Sequence, residues 1–308
     1  PLVITPRDRP DRVTPSTPAD RQTVRSCGST AMDDRRRVPV PTPSGWTIES
    51  TRGFGPFVTR IRYRLADGTI RVWRSRDHRK GLDRPGVPRR TWWIAVLFCI
   101  GSTCFTVGPL PAYESWVGTR WVGLTFFVGS IFFTSASYLC FVEASNAPDA
   151  VVDDPQRRHR GPFRLISWRP HSIDWWSTGV QLVGTVYFNV MTFLAMYDGW
   201  DTAQANRLVW RPDTIGSICF LVASYLAWAE VCHSAGRLRL RDVSWWIVVL
   251  NLLGSVFFGV SAVGAYTLGS GELVNEWLDN AGTVAGGVCF FVAAAMLIPE
   301  ARSKGAPA

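Results

Sequence analysis

Six apolar stretches, each long enough to cross a lipid bilayer and with no charged residue except Glu230 near one end, occupy most of the chain after residue 90. A transmembrane helix needs roughly 17–25 apolar residues, whereas a long helix of a soluble protein keeps a polar face along one side. The pattern therefore predicts an all-α membrane protein with six transmembrane helices. The predicted spans are Trp92–Leu110, Trp121–Val142, Trp175–Tyr197, Ile215–Val231, Val243–Leu268 and Ala281–Ile298.

The six stretches repeat in pairs. The first member of each pair begins with Trp-Trp. Seven residues separate this pair from a Gly that is followed by Ser or Thr, and two further residues separate the Ser or Thr from a Phe. The second member has Gly, then Phe four, Ala seven and Glu fourteen positions further on. A repeat of this kind predicts three tandem two-helix hairpins. The copies are Trp92–Phe105, Trp175–Phe188 and Trp245–Phe258 for the first member, and Gly129–Glu143, Gly216–Glu230 and Gly286–Glu300 for the second.

The repeated glycines are predicted to be helix-packing positions. Apolar burial drives little association within lipid, so helices pack where small residues let their backbones approach. An alternative interpretation is a pathway lined by the neighbouring hydroxyl groups of Ser102, Ser130, Thr185, Ser217 and Ser255. The six packing glycines are Gly101, Gly129, Gly184, Gly216, Gly254 and Gly286.

Each second helix closes with a glutamate, which gives the set Glu143, Glu230 and Glu300. A carboxylate is disfavoured at a helix C-terminus because the macrodipole is negative there. We expect a compensating arginine at each site, which would make an interfacial brace. The alternative is a gate or binding ring formed by the three carboxylates. Two amides within the spans, Gln181 and Asn251, are expected to link helices by hydrogen bonds.

The segment before the first span is polar and basic, with 20 basic and 9 acidic residues up to residue 90. Residues 1–45 are expected to form a disordered cytoplasmic tail because they have few large apolar groups. Within 46–90, alternating residues on both sides of Asp67-Gly68 predict a small β-hairpin with a row of arginines on one face. The remaining predicted units are hairpin 91–144, a basic cytoplasmic loop at 145–174, hairpin 175–232, and hairpin 233–308 with its C-terminal tail.

Basic residues near the hairpin are predicted to contact anionic lipid headgroups. Each Lys or Arg near a membrane surface contributes about 1 kcal/mol of binding free energy. Nucleic acid is not favoured as the partner because no nucleic-acid-binding motif accompanies the basic patch. A second copy of the chain or another membrane protein is a further possible partner for a multi-pass membrane protein. The candidate lipid contacts are Arg71, Arg74, Arg76, Arg79 and Lys80.

The distribution of arginine predicts the topology. The tail, residues 144–174, residues 232–242 and the C-terminal segment hold 30 of the 33 basic residues, and the three loops on the other side hold only Arg120, Arg207 and Arg211. The positive-inside rule then places both termini in the cytoplasm. Arginine outnumbers lysine 31 to 2, which suggests a GC-rich bacterial genome. The predicted location is therefore a bacterial plasma membrane. The seven cysteines show no paired spacing and are not expected to form disulfides.

The chain carries no catalytic, phosphate-binding or zinc-ligand motif, so no enzyme activity, cofactor or metal is predicted. Ionisable residues are also missing from the middle of the spans, which argues against a proton-coupled pump. The function class that these features favour is a non-enzymatic membrane module for scaffolding, sensing or envelope interaction. The alternative is a channel or facilitator for a small neutral solute.

The last hairpin carries Gly254-Ser255-Val256-Phe257-Phe258, followed by Asp279-Asn280-Ala281-Gly282-Thr283 and a helix that runs to Glu300. In these residues it resembles the YrhK-like family of small bacterial membrane modules. The resemblance implies a two-helix membrane unit and extends to the other two hairpins through the internal repeat. It implies no activity. The chain differs from that family in having three hairpins and a long basic tail.

Overall fold

The computed structural model describes residues 44–76, 89–147, 163–232 and 242–304, together with Thr42 and Leu240. The described chain is mostly helical, with a small sheet before the first helix. The strands are β1 Thr47–Phe54, β2 Phe57–Arg64 and β3 Ile70–Arg74. The helices are α1 Arg89–Val107, α2 Pro111–Val117, α3 Thr119–Ser145, α4 Ile173–Leu194, α5 Thr202–Ala205, α6 Arg211–Cys232, α7 Val243–Gly264, α8 Glu276–Ala295 and α9 Leu297–Lys304, with a π-helical segment, Asn206–Trp210, between α5 and α6.

The sheet is antiparallel with strand order β1-β2-β3. The predicted hairpin is confirmed, since β2 and β3 flank the turn at Asp67-Gly68 and pair with each other. The prediction of only two strands is wrong, because β1 pairs with the other edge of β2. A two-stranded ribbon is marginal in water, and the third strand lets Val58, Ile61, Tyr63 and Trp73 form a buried cluster. The predicted tail 1–45 lies outside the described residues apart from Thr42, Ser44 and Gly45.

Six long helices form a closed ring. The two helices of each predicted hairpin pack together, as α1 with α3, α4 with α6, and α7 with α8. Contacts between hairpins join α3 to α4 and α6 to α7, and α8 returns to α1. At this last contact the approach is close: a Cβ atom at Gly287 would lie 3.0 Å from the backbone nitrogen of Thr106. Of the predicted loop 145–174, residues 148–162 lie outside the described residues.

Small hydroxyl groups are buried within the bundle beside its apolar core, and the outer surface is apolar. Ser102, Ser130 and Ser255 are fully buried, while Val183 and Ile218 are about half exposed, at 51% and 54%. A water-soluble bundle would have the reverse distribution, because large exposed apolar surfaces are costly in water. In lipid the arrangement is stable, since apolar side chains face hydrocarbon and polar groups bond to one another.

Five helical segments are long and apolar enough to cross a membrane, which is compatible with a multi-pass membrane protein. They are Arg89–Val107, Thr119–Ser145, Thr202–Cys232, Val243–Gly264 and Glu276–Arg302. The sixth predicted span, α4, has 22 residues but is not among them. The reason is its composition: Asp174, Gln181 and Asn189 lower its hydropathy. It nevertheless occupies a place in the ring between α3 and α6.

The loops at one end of the bundle contain structure that the hydropathy pattern did not predict. Helix α2 connects α1 to α3, and α5 with the π-helical segment leads into α6. The amide of Asn206 donates to the carbonyl oxygen of Thr267 at 2.7 Å and its oxygen accepts from the Thr267 amide at 3.0 Å. This pair of hydrogen bonds ties the loop before α6 to the loop after α7.

Candidate functional site

A layer of six phenylalanine side chains fills the centre of the bundle, with one side chain from each long helix. Each of them is at most 6% exposed, and the rings contact across the centre, as in Phe188 and Phe220 with centroids 4.9 Å apart. All six occupy the phenylalanine positions of the sequence repeat. The layer consists of Phe105, Phe133, Phe188, Phe220, Phe258 and Phe290.

The repeated glycines lie where the two helices of a hairpin approach each other. A Cβ atom at Gly184 would lie 3.1 Å from the carbonyl oxygen of Gly216, and the reverse distance is also 3.1 Å. Gly254 and Gly286 show the same mutual distances. Glycine is therefore required at these positions, because the backbone of the opposing helix occupies the space that a side chain would need.

A cavity of about 100 Å³ lies on one side of the phenylalanine layer. Its wall includes residues from all six long helices and from α9, and Phe290 belongs both to the wall and to the layer. The polar part of the wall comes from the first turns of α1 and α4, the middle of α4 and α7, and the last turns of α3. We call the end of the bundle that contains this cavity the sheet end, because Arg76, two residues after β3, also lines it.

At the sheet end, Arg76 forms a buried ion pair with Glu300 of α9. Its Nε and Nη2 atoms donate to the two carboxylate oxygens at 3.2 and 3.3 Å. Ser244, the second residue of α7, donates its hydroxyl to Oε1 of Glu300 at 2.6 Å. Arg76 is only 8% exposed and Glu300 only 1%. The carboxylate therefore connects the segment after the sheet with two helices of the bundle.

The other two repeat glutamates have different surroundings. Glu143 is half-buried and lines the cavity. Glu230 is 1% exposed, and within the described part of the chain its Oε1 atom accepts no hydrogen bond. An arginine brace is therefore present at Glu300, and its arginine comes from the N-terminal region. No described arginine pairs with Glu143 or Glu230.

The residue that precedes each Trp-Trp pair also belongs to this end of the bundle, and sequence reasoning missed it. These residues are Thr91, Asp174 and Ser244, and all three are buried. Thr91 and Asp174 line the cavity, and Ser244 bonds to Glu300. Their signal was available, because a polar residue recurs at the same offset in all three copies.

Several hydroxyl groups of the alternative pathway bond between helices. Ser130 and Thr192 join α3 to α4 at 3.0 Å, and Ser217 donates to the carbonyl oxygen of Phe258 at 3.4 Å between α6 and α7. Ser255 shares a hydrogen bond of 2.8 Å with Ser224. These side chains therefore link the helices. The amides Gln181 and Asn251, by contrast, both line the cavity.

The predicted lipid contacts divide into three groups. The prediction is wrong for Arg76, because its guanidinium is buried against Glu300. Arg71 is exposed and lies over the ring of Trp46, with 5.9 Å between Cζ and the ring centroid. Arg74 lies at the edge of the basic sheet face described next. Arg79 and Lys80 lie outside the described residues.

One face of the sheet is basic. Arg52, Arg60 and Arg74 are direct cross-strand partners. Like charges in this arrangement repel each other. Glu49 balances part of the face: it accepts a hydrogen bond from Arg64 at 2.8 Å, which, with the nearby Arg62, holds the pKa of the Glu49 carboxyl below its usual value. We call Arg52, Arg60, Arg62, Arg64 and Arg74 the basic sheet face.

Among the described residues, no three His, Cys, Asp or Glu side chains cluster in an arrangement that could hold a metal ion. The six described cysteines are free thiols. A scan against protein-family models and searches of curated proteins and of solved structures gave no match for the chain.

Proposed function

We propose that the protein is a non-enzymatic module of the bacterial plasma membrane that senses the state of its helical bundle and transmits it to the basic sheet. In this proposal the chain crosses the membrane six times as three repeated hairpins, and both termini and the sheet lie in the cytoplasm. The observation that carries the proposal is the buried ion pair between Arg76 and Glu300. It joins the segment next to β3 to α9, the short helix that follows α8, so a rearrangement at the sheet end would reach the sheet directly.

A second contact supports the coupling. Phe54, the last residue of β1, packs edge-on against Tyr225 of α6 with 5.7 Å between ring centroids. Strand β1 therefore contacts α6, β2 contacts α4, and Arg76 after the sheet contacts α9. Separate contacts restrict rotation of the sheet better than a single one, which is what transmission of a small shift requires.

The basic sheet face is the proposed membrane-contacting surface. It presents arginines next to Ile70 and Val72, two apolar side chains that are exposed. Arginine beside exposed apolar groups suits the boundary between headgroups and water, where anionic lipids attract the charge. In this proposal Arg74 and the other arginines of this face contact anionic headgroups of the inner leaflet. Arg71, Arg79 and Lys80 add to the positive charge of the same region.

Hydrogen exchange of the full chain in lipid nanodiscs tests the coupling. We expect Glu300→Gln to increase amide exchange within β1 to β3, because the ion pair that holds Arg76 is lost. The matched control is Glu272→Gln, which changes an exposed carboxylate in the loop at the other end of the bundle. Unchanged exchange in the strands of Glu300→Gln would mean that the sheet and bundle are not coupled.

The orientation is tested separately by cysteine labelling in spheroplasts, after the native thiols have been replaced. Ser270→Cys lies in the exposed loop between α7 and α8, and we expect an impermeant reagent to label it from outside. Labelling that requires access to the cytoplasm would reverse the proposed topology.

The second candidate function, a facilitator for a small neutral solute, is favoured by the cavity within the bundle, whose mainly apolar wall also carries polar side chains. The phenylalanine layer counts against it, because six packed rings separate the cavity from the opposite end. Uptake of glycerol and urea by vesicles that contain the protein distinguishes the two. Uptake faster than in protein-free vesicles would put the facilitator first.

A further inference from the structure

Side chains from four different helices bring oxygen atoms to the cavity that have no hydrogen-bond partner among the described residues. Thr91 of α1 is 3% exposed, and its Oγ1 makes no hydrogen bond to any described residue. Glu143 of α3 and Gln181 of α4 line the same cavity, and neither forms a hydrogen bond or ion pair within the described part of the chain. Asn251 of α7 donates from Nδ2 to the carbonyl oxygen of Ile247 at 2.9 Å, which leaves Oδ1 as its free end.

Buried polar groups are normally satisfied, and each exception needs a water molecule, an ion or a functional explanation. The Thr91 hydroxyl is such an exception, and the half-buried oxygen groups of Glu143, Gln181 and Asn251 line the same cavity, which points to a common occupant. The cavity, at about 100 Å³, is larger than a single water molecule requires. It is therefore large enough for a small ion that keeps some of its water.

The charge of the wall determines the sign of that occupant. Among the described residues that line the cavity, two carboxylates, those of Glu143 and Asp174, face one guanidinium, that of Arg76. Asp174 takes part in an interaction of its own, which leaves Glu143 as the unpaired carboxylate. Glu300 already neutralises Arg76, so an anion would find no unbalanced positive charge on the described wall. The excess is negative, and it acts in a site of low dielectric where charge interactions are strong.

The type of ligand atom determines the class of ion. Thr91, Glu143, Gln181 and Asn251 offer only hard oxygen atoms, which suit alkali and alkaline-earth ions and not the softer transition metals. One unpaired carboxylate among neutral oxygens balances a single positive charge. A divalent ion would need further carboxylates directed to the same point.

We propose that the cavity at the sheet end binds a monovalent alkali cation, with Glu143 as the charged ligand and Thr91, Gln181 and Asn251 as neutral oxygen ligands. Arg76, which Glu300 holds by the buried ion pair, lines the cavity on the side of the sheet. The site does not depend on the proposed sensing function, because binding can be measured without reference to the sheet. If both hold, the cation is the species whose presence the bundle reports.

Binding is tested on the full chain in nanodiscs with Na⁺ and K⁺ as probes, by equilibrium binding of ²²Na⁺ and by thermal stability in NaCl or KCl against N-methylglucamine chloride at equal ionic strength. We expect Na⁺ or K⁺ to raise the melting temperature. Glu143→Gln should weaken binding by at least about tenfold, the scale seen when support of a bound metal is removed. Gln181→Met, which removes one neutral oxygen and keeps the shape, should weaken it less.

The matched control is Glu272→Gln, which removes an exposed carboxylate far from the cavity and should leave binding unchanged. The ²²Na⁺ measurement uses only protein that elutes as a single species, so a misfolded variant is recognised as such, and Gln181→Met provides a second test. The proposal is overturned if neither Na⁺ nor K⁺ binds, if only Ca²⁺ or Mg²⁺ binds, or if Glu143→Gln and Gln181→Met both bind Na⁺ and K⁺ as the unchanged protein does. If no alkali cation binds and Glu300→Gln leaves hydrogen exchange of the strands unchanged, both the cation site and the coupling are wrong. If no alkali cation binds but Glu300→Gln increases exchange of the strands, only the cation site is wrong.

Discussion

Arg76 and Glu300 are 224 positions apart in the chain, yet their side chains form two hydrogen bonds of 3.2 and 3.3 Å in the interior of the protein. The pair brings a residue next to the sheet to the last helix of the bundle. Burial of two charges is costly, and the attraction between them compensates only when the geometry is good and further hydrogen bonds are made. Ser244 supplies such a bond to the same carboxylate.

The three repeat glutamates should respond unequally to neutralisation, although their sequence positions are equivalent. Glu300→Gln leaves Arg76 buried without its counter-charge, which should destabilise the protein by about 3 kcal/mol. Glu230→Gln removes a buried charge that has no described partner, so the protein should become equally or more stable. Glu143→Gln should lie between them in the absence of alkali cations. Thermal unfolding of the three variants in one detergent measures the order. Equal losses at all three sites would support three similar arginine braces instead.

The close approach at Gly216 predicts a large loss from a bulky side chain. A Cβ atom there would lie 2.5 Å from the ring of Phe188 and 3.1 Å from the carbonyl oxygen of Gly184. Gly216→Leu should therefore destabilise the protein by about 1–3 kcal/mol or more, as overpacking does. Val222→Leu on the same helix is the control, because Val222 is exposed on the outer surface of the bundle. Similar melting temperatures for both variants would mean that Gly216 is not a packing position.

The phenylalanine layer should contribute to stability and also block passage. Phe188→Ala leaves a cavity in a packed core, which costs about 3–5 kcal/mol, whereas Phe193→Ala on the outer surface of the same helix should cost much less. Phe188→Ala also joins more open space to the cavity. Vesicles that contain it should take up glycerol faster than vesicles with the unchanged protein, provided that the layer is what blocks the bundle. A stable Phe188→Ala variant would show that the layer is not the core.

The sheet should unfold at alkaline pH because of Tyr63. Burial raises the pKa of Tyr63 to about 12 in the folded protein, while the unfolded chain has a value of about 10. Stability from this residue is complete below pH 10 and is lost as the pH rises from 10 towards 12, since only the unfolded state releases the proton there. Hydrogen exchange of β2 at increasing pH measures this loss.

The control for that measurement is Tyr63→Phe. Within the described residues the Tyr63 hydroxyl has no hydrogen-bond partner, so its removal should be neutral or stabilising by about 1 kcal/mol. It should also abolish the part of the alkaline unfolding that Tyr63 causes. A variant less stable than the unchanged protein at neutral pH would mean that the hydroxyl does make an important bond.

Much of the helical bundle could be predicted from local patterns. Apolar stretches gave the positions of α1, α3, α4, α6, α7 and α8, because hydropathy is a property of neighbouring residues. The repeated glycines and phenylalanines also pointed inward for a local reason. Residues four positions apart lie on one face of a helix, so Gly216 and Phe220 had to share their surroundings. The turn at Asp67-Gly68 fixed the pairing of β2 with β3 in the same way.

The tertiary structure alone decided which polar groups meet. Arg76 looked like a surface charge in a basic segment, and only the arrangement of the helices brought it to Glu300, since no local pattern encodes a contact across 224 residues. The same arrangement gave the three equivalent glutamates different surroundings and gathered Thr91, Gln181 and Asn251 around one cavity. Sequence repeats determine which positions face the centre of the bundle. Charge compensation there depends on which side chains come within a few ångströms, and that distance is set only when the ring closes.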